Sequence, residues 1–281
     1  MSVKFVIDSA SDVLPEEAKA MGVAHLPLQV MFGEETFDDA VSLSHREFFE
    51  KLTTSKALPT TSQITPAAFD ACYRQLTAGG DSVVVITISS KLSGTYQSAV
   101  IAAEDYPDQV YVVDSLSATI GERVLLQRGM ELAKQGCSAR EIAATLNEEK
   151  GKIRVIAIVD TLEYLKKGGR ISAATAVAGT LLSIKPAIMV QDGEVAMAGT
   201  ARGTRKGNQL LRELIEKHGG VNFNKPVALV YSGLEDTLLR KFIEDTPALW
   251  QGRTELPAYS LGCAIGTHVG PGAYGIAFFE E

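Results

Sequence analysis

Six consecutive β-branched residues, Val83-Val84-Val85-Ile86-Thr87-Ile88, constrain this chain more than any other stretch. A run with no alternation predicts a strand buried on both faces, the kind found in a parallel sheet covered by helices. A hydroxyl-rich turn follows, Ser89-Ser90-Lys91-Leu92-Ser93-Gly94-Thr95, and Tyr96 to Ala103 then takes up helical spacing. With Ser93 as the N-cap, the amides of Gly94, Thr95 and Tyr96 point outward at the positive end of the helix dipole, where an anion fits. Taken alone, Ser-Gly-Thr before a helix is only a good cap. The G-x-x-x-x-G-K-[ST] phosphate loop and the G-x-S-x-G nucleophile elbow are both missing from the sequence.

From the N-terminus, Val3 to Ile7 reads as a strand ending in Asp8-Ser9-Ala10-Ser11-Asp12, and Pro15 opens a helix to Met21. His25 to Phe32 reads as one strand turned by Gly33, and Ser44 with Glu47 forms a capping box for a helix to Leu52. Leu58 to Pro66 reads as a polar turn between prolines, with Thr60, Thr61, Ser62 and Gln63 supplying donors and acceptors. Thr65 and Pro66 then cap the helix Ala67 to Leu76. Gln109 to Val113 is another strand, ending in Asp114-Ser115-Leu116-Ser117. Three strands thus end in Ser-rich turns. In an open parallel sheet those ends share the edge where ligands bind. Helices Gly121 to Gln135 and Ser138 to Glu149 close this half.

A second unit begins near Lys152 with the strand Ile153 to Val159 and the short helix Leu162 to Lys167, stopped by Gly168-Gly169 ahead of Arg170. The segment 171–183 is apolar and rich in small residues, and Ile184 to Val190 is a strand turned by Asp192-Gly193. Gly199 to Gly207 is the most basic segment and leads into the helix Asn208 to Lys217. Cations at a helix start oppose its dipole, which assigns them another purpose. A strand at Val227 to Tyr231 and a helix at Leu238 to Phe242 follow. Gly262 to Gly275 reads as a glycine-rich loop exposing one imidazole, His268, before the closing strand Gly275 to Phe279.

At 281 residues the chain has room for two domains. A net charge of -7 argues against a nucleic-acid partner. Cys72, Cys137 and Cys263 lie far apart with no C-x-x-C, which predicts buried free thiols in a reducing cytoplasm. The four histidines show no metal-ligand spacing, so neither a metal nor a cofactor is expected. The first strand meets Asp8 too early for a signal peptide, and no apolar stretch of about twenty residues predicts a membrane span.

Six motifs in order resemble the DegV family of bacteria over essentially the whole chain: Asp8-Ser9-x-Ser11-Asp12, Pro59-Thr60-Thr61-Ser62-Gln63, Leu92-Ser93-Gly94-Thr95-Tyr96, Leu165-Lys166-Lys167-Gly168-Gly169-Arg170, Ile184-Lys185-Pro186 and Gly266-Thr267-His268-Val269-Gly270-Pro271-Gly272. The resemblance implies an α/β fold of two α/β domains, residues 1–152 with a three-layer parallel sheet and 153–281 with a mixed sheet and helices, the ligand lying between them. It implies a lipid-binding protein, not an enzyme. The ligand would be a long-chain fatty acid such as palmitate, stearate or oleate, presented to a separate fatty-acid kinase that makes the acyl phosphate, a phospholipid precursor.

Carried onto this sequence, the resemblance has Thr61 and Ser93 hydrogen-bond the carboxylate, with Ser62 and Gly94 beside them and His268 near, directly or through water. Arg170 and Arg202 would stand at the pocket mouth to meet the kinase or the phosphate. The rival reading is a hydrolase or phosphoryl-transfer enzyme with Ser93 as nucleophile, His268 as base and Asp8 or Asp114 as orienting acid. A nucleotide-binding module is a weaker rival, since no G-x-G-x-x-G follows the first strand.

Overall fold

The computed structural model describes residues 2–55, 57–171 and 183–280, so most of the small-residue segment 171–183 lies outside the described residues. The first half runs β1 (Val3–Asp8), α1 (Pro15–Met21), β2 (Val23–Leu26), β3 (Gln29–Phe32), β4 (Glu35–Asp38), α2 (His45–Thr54), β5 (Thr60–Ser62), α3 (Pro66–Thr77), β6 (Ser82–Thr87), α4 (Thr95–Ala103), β7 (Val110–Asp114), α5 (Ile120–Lys134) and α6 (Ala139–Glu149). The β-branched run fills β6, and every residue from Val83 to Ile88 is buried. Such a strand needs cover on both faces and neighbours at both edges. It has them: the parallel sheet runs β2-β1-β6-β7, with α3 and α4 packed against it as well as α5 and α6.

The second half runs β8 (Ile153–Ile158), α7 (Glu163–Lys167), β9 (Ile184–Gln191), β10 (Glu194–Arg202), α8 (Gly203–Lys217), β11 (Ala228–Tyr231), α9 (Thr237–Asp245), β12 (Ala258–Ser260), α10 (Cys263–Val269) and β13 (Tyr274–Phe279). Its strands form a mixed six-stranded sheet, β10-β9-β8-β13-β11-β12, in which only β11 and β12 pair parallel. Helix α5 contacts β6 of the first sheet and β8, β11 and β13 of the second. A helix between two sheets is covered all round, and Ile120 to Leu126 are all buried, Glu122 and Arg123 among them.

Local signals place most boundaries. Ser44 and Ser138 each form a complete capping box, and Thr65 accepts from the Ala68 amide. Five expectations need correction. The single strand His25 to Phe32 is two, because Pro27 has no N–H to continue a ladder; the Leu28 amide instead donates to Ser9 Oγ at 3.0 Å. The chain then leaves β2 and enters a small antiparallel sheet, β4-β3-β5. The polar turn after Pro59 is β5 of that sheet, with Thr61 opposite Val30. The basic segment divides: residues to Arg202 complete β10, and α8 starts at Gly203, where φ is +77. The glycine-rich loop is largely a helix, α10. Of the three free thiols only Cys263 is buried; Cys72 and Cys137 are half-buried.

Candidate functional site

A cavity of about 330 Å³ lies between the C-terminal edge of the parallel sheet and the six-stranded sheet. Val155, Ala157, Ile188, Val190 and Val230 form one wall, Leu165 comes from α7, and Ala264 and Ile265 come from α10. Ala10, Ile88, Leu92 and Ala118 complete the apolar lining from the edge of the first sheet. A face of one sheet and the edge of the other both bring apolar side chains here, so the space between them stays greasy.

Polar groups gather at one corner. Thr61 Oγ1 lies 2.9 Å from His268 Nε2, joining β5 to the last turn of α10. The His268 ring borders Gly168, so closely that a Cβ there would collide with it. Arg170 donates from Nη1 to the Gly168 carbonyl at 2.7 Å and from Nε to the Leu92 carbonyl at 3.1 Å. Ser93 and Gly94 come next, and a Cβ on Gly94 would strike the Gln63 amide. Thr61, Ser62, Ser93, Gly94, His268 and Arg170 therefore all line one cavity, with Gln63 of the same polar segment and with Thr119, which the sequence reading did not nominate. Arg202 is exposed at the end of β10 and is not among the lining residues.

The cap of α4 differs from the expectation by one residue. Gly94 is the N-cap, and Ser93 Oγ accepts from the Thr95 amide at 3.2 Å and shares a hydrogen bond with Thr95 Oγ1 at 2.9 Å. One of the three amides expected to face a ligand is thus already taken. The hydroxyl that takes it still has capacity toward the cavity, since a hydroxyl both donates and accepts.

His268 is half-buried rather than held out by its glycines, and the neighbouring glycines serve close contact. A Cβ on Gly266 would meet the rings of Phe48 and Phe49, and one on Gly270 would meet the Tyr164 ring. Burial, reinforced by the Arg170 charge, lowers the imidazole pKa to about 4, so the ring is neutral at pH 7. Its Nδ1 is buried with no partner among the described residues. A bare lone pair there costs less than a stranded N–H, which places the proton on Nε2, donating to Thr61 Oγ1. The Thr61 hydroxyl proton is then free to point into the cavity.

The Ser93–His268 pair of the rival reading does not form. Ser93 is bonded to Thr95 and His268 to Thr61, while the proposed orienting acids bind amides: Asp8 those of Ala10 and Ile88, Asp114 those of Ser90 and Leu116. Among the described residues no group of three His, Cys, Asp or Glu side chains is placed to hold a metal. No helix among them is long and apolar enough to cross a membrane.

The family model described as "Uncharacterised protein, DegV family" matches residues 2–281. A DegV domain-containing protein of Deinococcus radiodurans is 36% identical over 282 residues, covering 99% of this chain and 98% of its own. A solved structure of a DegV family protein from Thermus thermophilus, described by its fatty-acid binding, superposes with a TM-score of 0.89 at 33% identity and covers 100% of both chains. A stearic-acid-binding protein from Eubacterium ventriosum superposes at 0.87 with 26% identity, over 100% of this chain and 98% of that one.

Proposed function

The chain belongs to the DegV family, and from that premise we propose that it binds one long-chain fatty acid in the cavity between its sheets and presents the carboxylate to a fatty-acid kinase. The observation that carries this reading is a single greasy space ending in one polar corner whose donors, Arg170 apart, are neutral. Each methylene withdrawn from water contributes about 0.8 kcal/mol, so an acyl chain of sixteen carbons gains roughly 10 kcal/mol before its ordering cost. The head group needs partners, because an unpaired buried carboxylate costs several kcal/mol. Thr61, Ser93 and the start of α4 supply them, with Ser62 and Gly94 alongside. A bidentate arginine clamp would hold the carboxylate more tightly but blunt it as a nucleophile toward ATP. Arg170, tied to two carbonyls, lends charge at the corner without that clamp.

Two units, 1–152 and 153–281, bracket the ligand in this reading. Presentation to the kinase would draw on the exposed Arg202 and on Lys166, Lys167 and Arg205, which favour an acidic partner surface and an incoming phosphate. Protein purified from its own cell type, denatured and submitted to mass spectrometry should release a fatty acid in near-equimolar amount. Ser93→Ala and Thr61→Ala should each lower retention of added palmitate about tenfold. Charge reversal at Arg202 should slow acyl-phosphate formation with an added fatty-acid kinase and ATP, most strongly at low salt, and leave palmitate binding unchanged. A protein that neither carries nor takes up fatty acid defeats the whole reading; intact phosphorylation by the Arg202 variant defeats only the docking part.

A further inference from the structure

The first Ser-rich turn contributes only Ala10 to the cavity, yet Asp8, Ser9, Ser11 and Asp12 within it are all at most 2% exposed. Buried polar groups on this scale need partners, and part of theirs lie far along the chain. Asp12 Oδ1 accepts the Gly262 amide at 2.8 Å, and its other oxygen accepts the Thr119 hydroxyl. Asp39, wholly buried at the end of β4, accepts the Cys263 amide at 2.9 Å and the Ala264 amide at 3.1 Å. Ser9 Oγ donates to Asp39 Oδ2 at 3.0 Å and fixes that carboxyl. The amides of Gly262, Cys263 and Ala264 begin α10 and have no acceptor within the helix. Gly262 allows the approach, since a Cβ there would sit 3.0 Å from Asp12 Oδ1 and 3.2 Å from His45 Nε2.

The same seven-residue helix carries His268 in its last turn, about 9 Å along the axis. Its Ala264, Ile265, His268 and Val269 line the cavity. A helix this short moves as a rigid piece, so its start fixes the place of its end. We propose that Ser9, Asp12 and Asp39 are positioning residues for the ligand's head group: they hang α10 from the first sheet and thereby set the His268–Thr61 hydrogen bond that aims the Thr61 hydroxyl. Arg123 braces the same joint, donating to the Asp12 carbonyl at 2.5 Å and lying 3.6 Å over the ring of Tyr259, four residues ahead of Cys263. The inference deepens the fatty-acid reading and rests on it for the nature of the ligand. It also gives the Asp8-Ser9-Ala10-Ser11-Asp12 motif a role that contact with a ligand does not require.

The test compares delipidated wild type, Asp39→Asn, Ser9→Ala, Thr61→Ala and the double variant Asp39→Asn/Thr61→Ala. Binding of fatty acids of fourteen, sixteen and eighteen carbons is measured, and the His268 ring is titrated by NMR without ligand. Asp39→Asn turns an amide donor toward one of the α10 amides and should weaken all three acids by one common factor of about ten. The double variant should bind no worse than Thr61→Ala, because both substitutions remove the same aimed hydroxyl. The ligand-free ring should titrate nearer its ordinary value in Asp39→Asn.

Wild-type affinity in Asp39→Asn, a loss that grows with acyl length, losses that multiply in the double variant, or an unmoved ring titration would each overturn the proposal. Should Asp39→Asn not fold, Ser9→Ala carries the same comparisons with a factor of about three, since it leaves both Asp39 amide bonds in place. A wild type that binds none of the acids defeats the fatty-acid reading instead; the ring titration still decides the positioning role.

Discussion

The turns Asp8–Ser11 and Asp114–Ser117 share one residue order and leave the same edge of the sheet, on either side of β6, yet they do different work. In the second, Asp114 Oδ1 gathers the amides of Leu116 and Ser90, and the Ser115 hydroxyl bonds both the amide and the carbonyl of Ser117. Apart from the reach to Ser90, these side-chain bonds close within the turn. In the first, Asp8 spans to the Ile88 amide, and Ser9 bonds Leu28 and Asp39. One turn folds its own loop, whereas the other joins four separate segments. The lesson is that a local motif states what its side chains can bond, while its neighbours decide which bonds form.

The sharpest break in the comparison comes from removing the leading acid. Asp8→Ala strands the buried amides of Ala10 and Ile88 and should lower unfolding free energy by about 2–4 kcal/mol in urea melts; Asp114→Ala, at a joint water can reach, should cost about 1 kcal/mol. Equal losses would show that the two turns are equivalent after all. Next in size is binding. Ser9→Ala should weaken palmitate about threefold and Ser115→Ala should leave it unchanged, since only the first serine reaches the joint that holds α10. A finding that Ser115→Ala weakens binding as much would return the second turn to the ligand site.

A third test uses protons. Burial raises Asp8 and Asp12 to about 7, chiefly by desolvation against the amides and the Thr119 hydroxyl they accept. An acid whose folded pKa is raised keeps protons that the unfolded chain releases, so its contribution to stability is full below the unfolded value and is lost as pH rises through 7. Stability should therefore decline between about pH 4 and pH 7, and Asp12→Asn should flatten that decline. His268 acts oppositely: its lowered pKa contributes stability above 6.5 that is lost as pH falls toward 4, so His268→Gln should steepen the decline.

The smallest effect should come from Glu122. It is wholly buried in the first turn of α5, and burial together with Asp8 and Asp12 raises its pKa well above the usual carboxyl range. Burial therefore favours the neutral carboxyl, and Glu122→Gln should change stability at pH 7 by less than about 1 kcal/mol, or increase it. A loss of several kcal/mol in thermal or urea melts would mean that this acid is charged.

Much of the fold was legible because its signals are short-range. The Ser44, Thr65 and Ser138 caps, the Asp192-Gly193 turn and the β-branched β6 each depend on residues within one turn of themselves. The polar corner was partly legible for the same reason: Thr61 and Ser93 sit in hydroxyl clusters that a core has no use for. Thr119 escaped notice because it does not stand out from its neighbours in sequence. Asp39 was illegible for a stronger reason. It follows Asp38 with no motif to single it out, and its partners are remote: the Ser9 hydroxyl thirty residues earlier and the α10 amides more than two hundred residues later.

The sequence by itself determined which segments become strands and helices at most positions, that a parallel sheet must be covered on both faces, and that its hydroxyl-rich ends were chemically suited to an acid. These follow from periodicity, capping and side-chain inventory, all of which act over a few residues. Only the tertiary structure decided that β5 pairs with β3, that His268 rides on a helix, that Arg202 is exposed and does not line the cavity, and which of two like turns supports α10. Those outcomes depend on burial and on distances between remote segments, and a linear chain does not carry either until it has folded.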